Sequence, residues 1–216
     1  MDMVKADISH SRAFHRYVNA CSEEGWDIYT GISDSSDAYL KRRVAYSKGE
    51  ELPEGWTPAS TYFCIDSGQI LGVIRVRHGT SEYIHDVIGH IGYETLPQAR
   101  GQGIASHMLS WVQRHVLTEN AIITCEYGNI ASQKVIEKCG GQFLNTFYSE
   151  QDKHEVLRYQ LNPKWTLKHG TFQFSLACRE RVFWKWSRWW FWFISYSSLI
   201  IVGDILKYST RPAQSS

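Results

Sequence analysis

The residues best suited to chemistry stand together at Arg100-Gly101-Gln102-Gly103-Ile104-Ala105. Directly behind the second glycine, Ile104, Met108, Trp111, Val112, His115 and Val116 recur at helical spacing, so a glycine-rich turn opens into an amphipathic helix. The first N–H groups of a helix lack partners within it, and the helix dipole places partial positive charge there, so an anion such as phosphate is favoured. Gly101 and Gly103 allow the main chain to approach that anion without an intervening Cβ. Arg100 adds a forked cationic donor. Two phosphate loops are excluded by the letters: Ile104-Ala105 stands where a Walker A loop needs Lys-Ser/Thr, and Gly101-Gln102-Gly103 lacks the third glycine of a dinucleotide fingerprint.

The elements that position this turn can be read from pattern. Ahead of it, His90 to Thr95 is β-compatible and ends at Leu96-Pro97, since proline cannot continue a strand ladder. Behind it, Ala121 to Glu126 reads as the next strand, and Asn129 caps a helix that runs to Lys138 and stops at Gly140-Gly141. Earlier in the chain, Ser9 or Ser11 caps a helix over about 12–24 with Gly25 as its stop, and a second helix covers about 38–47. Its Lys41-Arg42-Arg43 run reads most simply as a solvated face. A hairpin joins Thr61–Ile65 to Ile70–Val76 through Asp66-Ser67-Gly68, and a last hairpin joins 142–149 to 154–161. Strands interleaved with helices after an opening hairpin predict a mixed α/β sheet.

The pattern Arg100-x-x-Gly103 within this setting resembles the acetyl-CoA loop of the GNAT superfamily of N-acetyltransferases, R/Q-x-x-G-x-G/A, with Ala105 as its last residue. A second register, Gln98-x-x-Gly101-x-Gly103, also fits. The flanks strengthen the resemblance: Gly89-His90-Ile91-Gly92-Tyr93 ahead, and Thr124-Cys125-Glu126 with Asn129 and Ser132, then Ile136-Glu137-Lys138 and Gly140-Gly141, behind. They are similar to a bacterial group carrying GHIGY, RGxGxA and TCxxxNxxS motifs, over roughly Leu52 to Leu161. The resemblance implies a GNAT-like α/β fold (mixed α+β): a central, mixed but mostly antiparallel sheet flanked by helices, with a splayed strand pair holding acetyl-CoA. It also implies that the early helices sit over the acceptor groove.

By this resemblance the pyrophosphate of acetyl-CoA meets Arg100, Gly101, Gln102, Gly103, Ile104 and Ala105. Main-chain groups near Thr95 and Leu96 then bind the pantetheine amides and polarise the thioester carbonyl, a use of preorganised donors against developing oxyanion charge. Direct attack by an amine needs a general base, for which His90, Glu94 and Glu126 are candidates, with His90 and Glu126 preferred over Glu94. Many members protonate the leaving thiolate with a tyrosine, but Ile136 occupies that position, so Asn129 with Ser132 is expected to orient the sulfur or a water. A covalent route through Cys125 is disfavoured, because Ile-Ile-Thr-Cys reads as a buried strand. The histidines show no metal-ligand spacing.

Net charge bounds the partners. A formal charge of +1 over 216 residues makes no electrostatic case for nucleic acid. Five scattered cysteines form no pair of metal or redox spacing, and Met1–Phe14 has no apolar signal region, so a reduced cytoplasmic setting is expected. Residues 1–161 are expected to form the acetyltransferase domain. Residues 162–216 form an aromatic-rich extension whose uncharged run Trp189–Gly203 falls short of the ~18 to 20 residues a membrane span needs. Its 183–203 segment suits a membrane-surface or homodimer contact. The function expected is transfer of acetyl from acetyl-CoA to a primary amine of a small molecule, the alternatives being a non-catalytic acyl-CoA-binding regulator or a membrane-associated acyltransferase.

Overall fold

In a computed structural model the described residues are 1–25, 29 and 35–164. They lie in one compact unit, Met1–Thr166. The expected features of the 162–216 extension fall almost wholly outside the described residues.

The chain opens with a strand that its short sequence did not announce, β1 (Asp2–Lys5), paired antiparallel with β2 (Ala59–Asp66). Asp7, rather than a serine, starts the first helical segment. Its side chain accepts from the Ser9 N–H while His10 reaches back to the Asp7 N–H, and the resulting 3-10 turn, Ile8–His10, leads directly into α1 (Ser11–Glu23). Ser35 caps α2 (Ser36–Tyr46) by accepting from the Ala38 N–H. Of the basic run on α2, Lys41 is exposed, whereas Arg42 and Arg43 are half-buried. β2 and β3 (Gln69–Arg77) join through Ser67-Gly68, both at positive φ, as a tight hairpin turn requires.

A π-helical turn, Ile84–Ile88, precedes β4 (Ile91–Thr95). Then follow a 3-10 turn at Pro97–Ala99, α3 (Ile104–His115), β5 (Ala121–Glu126), α4 (Ile130–Lys138), β6 (Gln142–Ser149) and β7 (His154–Leu161). The seven strands form one sheet in the order β1-β2-β3-β4-β5-β7-β6, antiparallel at every pair except β4–β5. This is the mixed, mostly antiparallel α/β sheet expected.

Strand alternation sends neighbouring side chains to opposite faces. On one face Phe63 stacks with Phe14 of α1 at 5.6 Å, and Phe14 stacks with Tyr39 of α2 at 5.8 Å. On the other, Tyr62 meets Trp111 of α3 at 5.2 Å. Gly72 allows α3 to sit close, since a Cβ there would lie 2.7 Å from Met108 Cε. Thus α1 and α2 cover one face of the sheet centre and α3 and α4 the other, with wholly buried Met108, Leu109 and Ile136 beneath the latter. Each such side chain contributes roughly 1.5 to 3 kcal/mol by leaving water.

Candidate active site

The parallel pair β4–β5 carries one register pair, Ile91↔Ile123, although the strands have five and six residues. The ladder is closed at its start by the His90 N–H donating to Ile122 O at 2.6 Å and by the Ile122 N–H donating to His90 Nδ1 at 3.1 Å. Beyond Ile91 the strands part. Gly89 makes this junction possible: it sits at φ 66°, and a Cβ would lie 3.0 Å from Thr124 N and 3.1 Å from Ile122 O.

The main-chain groups left free by the splay follow from the β3–β4 register. Leu96 N–H donates to Leu71 O at 2.8 Å, which makes Gly72↔Thr95 a pair whose own N–H and C=O point away from each other. Thr95, and by alternation Tyr93, therefore direct main-chain groups toward β5. Leu96, in contrast, has both groups engaged, its C=O accepting from the Ala99 N–H at 2.8 Å.

At the end of β4 the chain turns through Arg100 into the glycine loop. Gly101 and Gly103 stand at φ 73° and 80°, and a Cβ on either would meet nothing within 4 Å. Gly103 is the N-cap of α3, and no side chain caps that end. Open space in front of an uncapped helix start suits a pyrophosphate, so the loop fits the group the sequence implies. The Gln102 amide donates to Gln98 O at 3.0 Å and braces the turn from behind.

On the α3/α4 face the gap is lined by Tyr93 of β4 and Ser132 of α4, whose hydroxyls lie 2.8 Å apart. Burial pushes the Tyr93 phenol up to about 12. Cys125 of β5 is buried beside Ser132, and burial raises its thiol. Asn129 caps α4 by accepting from the Ser132 N–H at 3.0 Å, so it fixes the residue next to the gap. Ile136 is wholly buried against Gly141.

On the α1/α2 face Glu126 is exposed at the end of β5. Glu94 is buried, accepting from Arg75 Nη2 at 2.9 Å and from the Tyr29 hydroxyl. Burial pushes Tyr29 well up, and although burial alone would lower Arg75, Glu94 beside it holds the guanidinium well above its ordinary value. His90 lies at the closed end of the gap, and burial lowers its imidazole. Its Nδ1, holding the Ile122 N–H, is the unprotonated nitrogen. Sequence reasoning singled out neither Tyr93 as Ser132's partner nor Arg75 as Glu94's. The tyrosine of GHIGY, two residues past the ladder's last pair, was the available signal for the first; the second joins strands 19 residues apart and left none.

The matching family model is that of the Acetyltransferase (GNAT) domain, over residues 5–142. The chain belongs to this family. It is an acetyl-CoA-dependent N-acetyltransferase. Among solved structures it is similar to RimL, a ribosomal L7/L12 alpha-N-protein acetyltransferase in complex with coenzyme A, at 19% identity and TM-score 0.55 over 75% of this chain and 94% of that one. It is also similar to MccE, a microcin C7 self-immunity acetyltransferase in complex with acetyl-CoA and AMP, at 14% identity and TM-score 0.56 over 74% and 91%. A ribosomal-protein-S5-alanine acetyltransferase from Vibrio fischeri matches at 14% identity and TM-score 0.58 over 76% and 94%. These likenesses show the fold. No curated protein matches the chain.

Among the described residues no helix is long and apolar enough to cross a membrane, and no cluster of His, Cys, Asp or Glu is placed to hold a metal ion.

Proposed function

We propose that the protein transfers acetyl to a primary amine of a small molecule by direct attack across the β4–β5 gap. The observation that carries this reading is the single-pair junction at Ile91↔Ile123, which leaves an open main-chain edge on β4 leading to the glycine loop. Acetyl-CoA supplies an activated thioester. Gly101 to Ala105 hold its pyrophosphate through main-chain amides, with Arg100 and Gln102 at the rim. Tyr93 and Thr95 offer N–H and C=O groups to the pantetheine and the thioester carbonyl, a role for which Leu96 provides packing rather than donors.

The amine enters from the α1/α2 face, because Tyr93 and Ser132 close the other. Glu126, whose carboxylate is exposed, takes the amine's proton directly or through water. His90 holds the closed end of the gap through Ile122, with Nδ1 occupied. On the opposite face the Ser132 hydroxyl, backed by the Tyr93 hydroxyl that keeps its own proton at neutral pH, donates a hydrogen bond to the departing thiolate, which takes its proton from solvent. Asn129 positions Ser132 through its cap bond. The raised Cys125 thiol is a poor nucleophile at neutral pH, which supports direct attack over an acyl-cysteine.

The test is calorimetric titration with acetyl-CoA, followed by thiol release over a panel of amines. Gly103→Asp brings negative charge to the pyrophosphate and should abolish binding. Gly103→Asn, which tolerates positive φ without charge, should bind at least about tenfold more tightly than Gly103→Asp. Equal binding by both variants and wild type would remove the loop from the site. Thiol release with protein N-termini but with no small amine would replace the acceptor class.

A further inference from the structure

Among the described residues, the α1/α2 face beside the gap carries three arginines, of which one is paired with a carboxylate. Arg75 and Arg77 of β3 lie on this face two residues apart, and Arg43 of α2 lies over it. Arg43 stacks on the Tyr39 ring, Cζ to centroid 4.9 Å, while the Tyr39 hydroxyl lies 3.5 Å from Arg75 Nη2, so one tyrosine joins the two cations. Arg77 Nη1 donates to the carbonyls of Gly89 at 3.0 Å and Ile88 at 3.4 Å. Glu94 pairs with Arg75, and among the described residues no carboxylate pairs with Arg43 or Arg77. Among the described residues the buried Nε atoms of Arg43 and Arg75 have no hydrogen-bond partner.

A part-buried guanidinium without a carboxylate partner is costly, and like charges placed on one face add to that cost. The cost is offset when an anion joins them. Burial lowers Arg77 to about 10, with Arg75 and Arg43 pushing in the same direction, as crowded cations do. The space is also there: Gly92, opposite Arg75 in the β3–β4 register, bears no side chain, and a Cβ on it would meet only Arg77 Nη1, at 3.9 Å. Gly92 follows the last β4–β5 pair, so this bare floor adjoins the place where the strands part.

We propose that Arg43, Arg75 and Arg77 bind an anionic group on the acceptor, a carboxylate or a phosphate, and thereby place its amine over Gly92 beside the gap. The proposal rests on the acetyltransferase reading above. It makes the acceptor an amino acid or aminoalkyl phosphate rather than a simple amine or polyamine, since a second cation would be repelled. Arg75, fixed by Glu94 and Tyr29, is the rigid member. Arg43 is the one brought by α2.

The test uses the full-length protein with four acceptors of similar length: β-alanine, aminoethyl phosphate, β-alanine amide and n-propylamine. Thiol release should show kcat/KM at least about tenfold higher for an anionic amine than for its neutral counterpart, as expected for one charge-assisted contact. Raising salt should shrink that ratio. Arg43→Gln should bring it to about one, and Arg43→Lys should restore part of it; near-UV circular dichroism confirms that both variants are folded. A neutral amine used as well as the anionic ones, or a ratio unaltered in folded Arg43→Gln, would overturn the proposal. Preference between carboxylate and phosphate names the source of the anion. The same compounds are titrated calorimetrically into CoA-loaded protein. If none of them releases thiol, the small-amine reading fails, yet binding of β-alanine or aminoethyl phosphate that is lost in Arg43→Gln still supports the anion site, and failure of both to bind overturns it.

Discussion

His90, a residue suited to catalysis, is bonded to the main chain of the neighbouring strand. Its Nδ1 takes the Ile122 N–H, a partner that a parallel strand would otherwise supply from its own main chain. Burial lowers both His90 and His78 from the ordinary 6.5, so around and below that pH the unfolded chain binds more protons than the folded one. Stability therefore rises with pH through the window beneath 6.5 and is lost as pH falls into it. Asparagine can present an oxygen near the position of Nδ1, so His90→Asn should keep the Ile122 bond and flatten the dependence. Urea midpoints from pH 5 to 7.5 check this: an unchanged slope would assign the dependence to His78, whose ring lies 2.7 Å from Ser60 Oγ. The glycine loop was legible because its geometry is carried by consecutive residues and their own φ angles. The surroundings of His90 and Glu94 were not, because each is bonded to a partner on another strand.

Among the elements, β4 and β5 do most to define the site, and their junction depends on one residue without a side chain. Gly89→Ala would place an alanine at φ 66° and a Cβ 3.0 Å from the Thr124 nitrogen of β5. With ψ at 170° this is an extended positive-φ conformation open essentially to glycine, which costs about 1 to 3 kcal/mol, and the main-chain contact adds to it, so the loss should reach at least about 2 kcal/mol by urea denaturation. A variant within about 0.5 kcal/mol of wild type would show that the strands can separate there freely. Most elements were visible as periodicity or punctuation: α3, β5, α4 and the last hairpin stand where their patterns place them. β1 was missed because four residues carry too little alternation to read. No local pattern marks the 84–88 turn, and Arg158 from β7 explains its position. Its Nε donates to His85 O at 3.1 Å and its Nη2 lies 3.2 Å from Asp86 Oδ1, a tie across 73 residues of chain.

Taken whole, the catalytic unit extends slightly past its last strand. The buried Gln113 side chain donates to Asn162 O at 3.0 Å, and Gln113 O accepts from the Lys164 N–H at 2.9 Å. Cutting after Leu161 would leave Gln113 without these partners, at a cost of about 1 to 3 kcal/mol, whereas cutting after Lys164 retains both. The 1–164 fragment should therefore match the full chain in acetyl-CoA binding and melt above the 1–161 fragment; equal melting would remove Gln113 from the account. The sequence by itself determined the fold class, the family and the glycine loop that opens α3, since these rest on contiguous patterns and local backbone preference. Tertiary structure alone decided the single-pair junction of β4 and β5, the Tyr93–Ser132 hydroxyl pair, and the placing of Arg43, Arg75 and Arg77 on one face of the sheet. Each joins residues far apart in the chain, and their meeting depends on strand register and on how α2 and α4 pack, which no local pattern encodes.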